Sequence, residues 1–168
     1  MSSNRTTRGG ALLETAMFLP ILFLLLVGMV ELGKIYYTYY TLQKILYNLA
    51  RYVSVQQGAN FCDAADPVVT AAINYALTGT SDGSGAPVLP GLTANMILVQ
   101  PERFTAATTS LGQCDCSATG CDTSQGALQP DFIEVTLPNG YLIQPGIPGL
   151  KIDPIPLKPH VLVPFEGT

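Results

Sequence analysis

The chain has 168 residues, and its net charge at neutral pH is −4. Few lysines and arginines follow residue 51, so the chain lacks the basic face that nucleic-acid phosphates require, and we expect no nucleic-acid partner. Most of the thirteen prolines and many of the sixteen glycines lie in the second half, which predicts a loop-rich region with short strands. The length leaves room for one modest domain rather than two.

The first residues, MSSNRTTR, form a polar and basic segment that is too short to fold by itself. We interpret residues 1–9 as a leader peptide. A secretory signal peptide also combines a basic start with an apolar core, and its cleavage would release a small secreted protein. No cleavage motif of small residues follows the apolar core, so the sequence favours retention of the hydrophobic segment.

An apolar run extends from Gly9 to Val30. At about 1.5 Å per residue, a helix over residues 11–33 is about 34 Å long, enough to cross a hydrocarbon core of roughly 30 Å. Arg5 and Arg8 precede the run, so the positive-inside rule places the N-terminus in the cytoplasm and the rest of the chain outside. A soluble core helix explains the run less well, because nothing downstream is apolar enough to surround it. The sequence therefore predicts a single membrane span.

The same helix is expected to continue beyond the membrane to about residue 57. Apolar residues recur there at three- and four-residue spacing, and no Gly or Pro interrupts the segment between Lys34 and Gly58. The resulting apolar stripe consists of Leu42, Ile45, Leu46, Leu49 and Val53. The tyrosines that follow Lys34 are typical of the aromatic belt at a membrane surface, and we prefer that role to ligand binding. A helix over residues 11–57 would be about 70 Å long, and its outer half would offer a face on which a domain can pack.

Glu14 is the unusual residue of the apolar run. A carboxylate one turn inside such a segment costs on the order of 2–3 kcal/mol, so it is a functional candidate. The alternative is that its side chain simply reaches back to the cytoplasmic interface.

The spacing from Gly9 and Gly10 to Glu14 resembles the processing site of type IV prepilins. The continuation, with Pro20 inside the helix and Glu31 near its end, resembles most closely the TadE-like proteins of the tight-adherence (Flp) pilus system. The resemblance implies cleavage by a prepilin peptidase after Gly9. Gly10 would then be the new N-terminus, and Glu14 the fifth residue of the mature chain.

The resemblance also implies a structural role in the inner (cytoplasmic) membrane. We expect a minor pilin or pseudopilin that takes part in assembly of an adhesive filament. Its partners would be the prepilin peptidase, membrane lipid, and other pilin or pseudopilin subunits bound through the N-terminal helix. The new amino group of Gly10 would pair with Glu14 of a neighbouring subunit. The alternative is an unprocessed bitopic anchor that displays a binding domain.

Residues 58–168 are predicted to form a small extracytoplasmic domain, which makes the whole chain α+β. Asp66-Pro67 is a strong helix start and predicts a short helix over residues 67–77. Residues 94–100 are predicted to form a strand that ends at Pro101.

Residues 131–137 alternate strictly between two faces of a predicted strand. One face carries Ile133, Val135 and Leu137. The Asn139-Gly140 pair that follows is a strong hairpin signal, so we expect this strand to pair with residues 141–143. After a proline-rich extended crossing, residues 160–165 form a last strand, which Pro164 places at a sheet edge.

Four cysteines, Cys62, Cys114, Cys116 and Cys121, lie on the side predicted to be outside the cytoplasm. An even count in an oxidising compartment predicts two disulfides. A direct bond between Cys114 and Cys116 is geometrically unfavourable, so we expect Cys62 to bond to one of the three clustered cysteines. Residues 105–130 hold few large apolar side chains and need such cross-links to stay ordered. A metal site made of the four thiolates is the alternative, but the paired spacing of structural zinc sites is absent from the sequence.

No catalytic constellation is recognisable in the sequence. His160 is the only histidine and has no nucleophile beside it, so we interpret it as a surface or edge-strand residue. The carboxylates lack calcium-loop spacing, and no phosphate-binding glycine loop joins a strand to a helix. We therefore expect no enzymatic activity, no metal or other cofactor, and no small-molecule substrate.

Overall fold

The computed structural model describes residues 6–105 and 109–167. Helix α1 covers Thr6–Ser54, and helix α2 covers Pro67–Thr78. The strands are β1 Leu98–Thr105, β2 Ser110–Gln113, β3 Phe132–Thr136, β4 Tyr141–Ile143, β5 Ile155–Leu157 and β6 His160–Pro164. Short 3-10 helices lie at Ala94–Met96 and Thr123–Gln125. This is the α+β architecture that the sequence predicts.

Helix α1 begins and ends a few residues earlier than predicted. It is helical from Thr6, the first described residue, so part of the polar segment that was predicted to be too short to fold is helical, and residues 1–5 lie outside the described part. No proline precedes the apolar run, and adding a turn to an existing helix costs little compared with starting one. At the other end, the carbonyl oxygen of Ser54 accepts the N–H of Glu166 at 2.8 Å. The C-terminal segment therefore occupies the Ser54 carbonyl oxygen, which would accept a backbone N–H if the helix continued for another turn.

The short helix α2 begins at Pro67, as the sequence predicts, and ends at Thr78, one residue later than predicted. The Asp66 carboxylate accepts the N–H groups of Val68 at 2.9 Å and Val69 at 3.0 Å, as an N-cap does. Gly79 adopts a left-handed conformation with φ of 77° and closes the helix through its N–H, which donates to the carbonyl of Tyr75. Residues 67–78 thus form a helix whose ends are fixed by side-chain and backbone hydrogen bonds.

Four strands form an antiparallel sheet in the order β2-β1-β3-β6. The strand predicted over residues 94–100 is wrong at both ends, because Ala94–Met96 form a 3-10 helix and β1 begins at Leu98 and runs through Pro101 to Thr105. The carbonyl oxygen of Pro101 accepts the N–H of Cys114 at 2.9 Å, so Pro101 turns its backbone polar groups toward the side of β2. Strand β2 ends at Gln113, just before that point. The missing N–H of proline therefore costs no hydrogen bond between β1 and β3.

The predicted hairpin between residues 131–137 and 141–143 is also wrong. The turn itself is present, since Gly140 has φ of 74° and its N–H donates to the carbonyl of Leu137 at 3.0 Å. Both edges of β3 are nevertheless occupied, by β1 on one side and β6 on the other. Strand β4 therefore pairs with β5 in a separate two-stranded sheet. Strand β6 lies at the sheet edge, as predicted.

The core forms where the outer half of α1 packs on the sheet and on α2. All five residues of the predicted apolar stripe on α1 are buried. The predicted inner face of β3 is buried as well, with Ile133 and Val135 fully inaccessible. These residues belong to one continuous cluster with Ala72 and Leu77 of α2. The helix thus serves as the central support of the domain.

Candidate functional site

The inner half of α1 presents apolar side chains on every side. Each residue from Leu12 to Leu26 is exposed, and Leu19 and Phe23 keep 65% and 63% of their surface accessible. By length and composition, the helix from Leu12 to Ser54 is suited to cross a membrane. An apolar surface this large is unfavourable in water, so it requires lipid or other helices around it.

The predicted processing and assembly residues lie together near the start of this helix. Gly9 and Gly10 are helical, and Gly10 is exposed, with open space where a side chain would be. Glu14 follows Gly10 by one helical turn, so the two residues share a face. The Glu14 carboxylate is exposed, and within residues 6–105 and 109–167 it has no ion-pair partner. An unpaired carboxylate in this position requires a cationic partner from elsewhere if the surrounding surface is buried in lipid.

Glu31 is placed differently from Glu14. It is only 8% exposed, and its carboxylate accepts a hydrogen bond from the Lys34 ammonium at 2.8 Å. The backbone N–H of Gly146 is a second polar partner of the same carboxylate. A side chain added at Gly146 would place its Cβ 3.7 Å from the Glu31 oxygen. Sequence reasoning singled out Glu31 near the end of the apolar helix but missed Gly146, because no local pattern links two segments so distant in the chain.

The four cysteines form two disulfides, Cys62–Cys116 and Cys114–Cys121. Cys62 thus bonds to the middle member of the cluster, one of the pairings that the sequence left open. Because all four sulfurs are in disulfides, the alternative of a four-thiolate metal site is wrong.

Hydrogen bonds hold the segment after β2 in addition to the disulfides. The Arg103 guanidinium donates to the carbonyl oxygens of Gly120, Leu128 and Gln129, at 2.9, 2.7 and 2.7 Å. Hydrogen bonds from Ser124 and Gln125 hold the pKa of the Asp122 carboxyl below its usual range. Residues 105–130, predicted to depend on cross-links, thus contain β2 and a 3-10 helix that polar contacts fix in place. Residues 106–108 lie outside the described part.

A pair of carboxyl groups lies on the outer face of the four-stranded sheet. Glu134 of β3 is opposite Gln100, and Glu102 is two residues further along β1. Partial burial raises the pKa of the Glu102 carboxyl, and the negative charge of Glu134 adds to the effect. His160 is exposed on edge strand β6, as predicted.

A cavity of about 500 Å³ lies between α2, β1 and the turn that holds Cys62. Its walls include Phe61, Val69, Ile73 and Ile97. Such a volume is within the usual range of ligand pockets, but Asp63 is the only titratable side chain among the described residues that line it. Within the described ranges, no group of three or more His, Cys, Asp or Glu residues is arranged to hold a metal ion. Sequence reasoning missed the cavity because three separate segments form it.

No curated protein and no solved structure matches the chain. Residues 9–59 match the family of TadE-like proteins. The match includes the two glycines, both glutamates of the apolar helix and the stripe that packs on the domain. The resemblance inferred from the sequence is thereby confirmed for residues 9–59, here called the TadE-like segment.

Proposed function

We propose that the protein is a minor pilin or pseudopilin of a tight-adherence type pilus, inserted in the inner membrane. The carrying observation is that the TadE-like segment includes a helical stretch, Leu12 to Leu26, that is largely apolar and exposed at every residue. The family is pilus-related, which favours other pilus components as partners. The N-terminus lies in the cytoplasm and the domain outside, as the basic residues before the apolar run favour.

In this proposal the chain is processed before it is assembled. A prepilin peptidase cleaves after Gly9, and the new amino group of Gly10 is a cation one turn from Glu14. Apolar burial contributes little to helix association in lipid, where every surface is already apolar, so polar partners and close contacts have the larger effect. Pairing of the Gly10 amino group with Glu14 of the next subunit offsets the cost of holding a carboxylate in the apolar region. It also fixes the axial position of one helix against the next.

The substitution Glu14→Ala tests the role of this carboxylate. We expect the variant to reach the membrane in normal amounts, because it is more apolar than the native chain, and to be incorporated poorly into pili or their basal assemblies. Leu13→Ala, which removes an exposed neighbour without changing charge, is the matched control and should be incorporated normally. Normal incorporation of the Glu14→Ala protein would contradict the proposal.

A second candidate function is an unprocessed membrane anchor that displays a binding domain. The cavity beside Cys62 is the observation that favours it, because its volume and its mostly apolar walls are typical of ligand pockets. The two functions differ at the N-terminus, since the anchor retains residues 1–9 and the pilin does not.

A further inference from the structure

We propose that the hairpin made by β4 and β5 inserts its tip into the phospholipid interface beside α1, so that the domain rests on the membrane surface. This inference rests on the proposed function to the extent that the first half of α1 must span a membrane. It adds a second point of lipid contact, formed by a part of the chain that lies outside the TadE-like segment.

The tip is a well-defined turn with apolar residues on both sides. Strands β4 and β5 pair from Tyr141↔Leu157 to Ile143↔Ile155, which leaves residues 144–154 as the connection, here called the tip loop. At its centre the N–H of Leu150 donates to the carbonyl of Ile147 at 3.1 Å. Proline is the second residue of this turn, and glycine with φ of 82° is the third, which is typical of a type II turn.

The tip loop contacts α1 where the apolar run ends. Its Gly146 faces the carboxylate of Glu31, which is the first residue of α1 to be buried among those whose side chains are described. Val27 and Gly28 lie on the same face, one turn earlier, and are half-buried, unlike the exposed residues before them. The covered part of the helix therefore extends one turn into the apolar run.

The level of this contact follows from the length of the apolar run. The helical rise over residues 12–31 is about 29 Å, close to the roughly 30 Å thickness of a hydrocarbon core. If the run fills the membrane, Glu31 is level with the outer boundary of the hydrocarbon. Gly146 is at the same level, so the turn that follows it lies at the lipid surface rather than in bulk water.

The exposed side chains of the hairpin have the chemistry that a phospholipid surface requires. Leu150 is 56% exposed, which places a large aliphatic group outside the protein in the turn that follows Gly146. Lys151 follows directly and is exposed, and Lys34 of α1 keeps 64% of its side chain accessible. An exposed aliphatic residue together with these two lysines favours insertion into the headgroup region of an anionic membrane, and the exposed Asp153 of the tip loop offsets one of the positive charges. A lipid occupant is preferred to a second copy because this surface continues the apolar surface of the helix.

The chain contains no tryptophan, so a single introduced Trp reports on one site only. Three full-length variants are compared in vesicles of phosphatidylcholine and phosphatidylglycerol with brominated acyl chains, which quench nearby Trp. Leu150→Trp probes the tip and Phe23→Trp the proposed span. Leu128→Trp is the matched control, because Leu128 is 75% exposed and belongs to the cysteine-rich segment, which the Cys62–Cys116 disulfide ties to the turn after the C-terminal end of α1.

We expect the L150W fluorescence to fall to about half or less when bromines lie about 5–10 Å below the headgroups, the depth typical of interfacial segments. The L128W fluorescence should remain unchanged, and F23W should be quenched most by deep bromines. Quenching of F23W without quenching of L150W would overturn the inference and leave the membrane span intact. L150W that is shielded from aqueous iodide but not quenched by lipid bromines would indicate a second protein copy and would also overturn it. Unquenched F23W would overturn the proposed span together with the inference.

Discussion

At the scale of single residues, Glu102 is a carboxyl group whose ionised form the fold disfavours. Partial burial and the charge of Glu134 raise its pKa above the usual value. The folded state therefore binds a proton at Glu102 more tightly than the unfolded state does. The resulting contribution to stability is fully present at a pH below the pKa that Glu102 has in the unfolded state. It is lost as the pH rises through the pKa that Glu102 has in the folded state.

We therefore expect Glu102→Gln to stabilise the protein at neutral pH. The melting temperature should rise by about 2 °C at pH 7, because an effect of 1 kcal/mol or less shifts the melting temperature of a small domain by only a few degrees. The gain should disappear at a pH below the usual pKa of a glutamate. Thermal melts of the full chain in detergent across that pH range measure the effect, with exposed Glu166→Gln as the control. A gain that is independent of pH would show that the charge is not its cause.

Glu31 is the second residue with a specific structural role. Its carboxylate is the acceptor that holds both Lys34 and the backbone of Gly146. We expect Glu31→Ala to free the Gly146 amide and raise its hydrogen-exchange rate roughly three- to tenfold, which corresponds to the loss of one hydrogen bond. Glu14→Ala removes the other carboxylate of the apolar helix and should leave this rate unchanged. Equal exchange rates at Gly146 in the Glu31→Ala and native chains would mean that Glu31 does not hold the tip loop.

At the scale of elements, the two disulfides differ in the length of chain that they close. Cys62–Cys116 spans 54 residues and Cys114–Cys121 spans 7. Chain-entropy arguments give about 4 kcal/mol of stabilisation for the long loop and about 2 kcal/mol for the short one. Each pair also holds a different part of the fold: the first ties the cysteine-rich segment to the end of α1, and the second closes that segment on itself.

Replacing each pair of cysteines by serine should separate these contributions. We expect loss of Cys62–Cys116 to lower the free energy of unfolding by about 2 kcal/mol more than loss of Cys114–Cys121 does. It should also make residues 114–130 more accessible to protease, because the cross-link to Cys62 is lost and hydrogen bonds such as those of Arg103, Asp122 and the Cys114 N–H then hold this segment. Chemical unfolding and limited proteolysis of the full chain in detergent measure both effects. Equal destabilisation by the two replacements would contradict the chain-entropy argument.

The long helix and its buried stripe were predictable because their signals are local. A spacing of three and four residues identifies the stripe of α1, Asp66 with Pro67 identifies the start of α2, and alternation identifies the inner face of β3. The strand partners were not predictable by the same means. Asn139-Gly140 does form a turn, but the choice between β4 and β6 as the neighbour of β3 depends on the whole sheet.

At the scale of the whole molecule, α1 has two environments along its length. Its outer half is the core of a disulfide-linked domain, and its inner half is apolar and exposed. The candidate site on the inner half was predictable from sequence, because the glycines, Glu14 and Pro20 lie within one short segment. The contact between Glu31 and Gly146 was not predictable, because the two residues are far apart in the sequence and no local sequence pattern links them. It fixes the domain close to the end of the proposed span.

The central claim is that the chain is a processed subunit, and the mass of its N-terminus tests this most directly. Protein isolated from the membrane and pilus fractions is digested, and its N-terminal peptide is measured by mass spectrometry. We predict a peptide that begins at Gly10, whose free amino group lies one turn from Glu14. The substitution Gly9→Val provides the control, because it should block cleavage and leave the leader attached. A native chain that begins at Met1 in both fractions would contradict the claim and favour the unprocessed anchor.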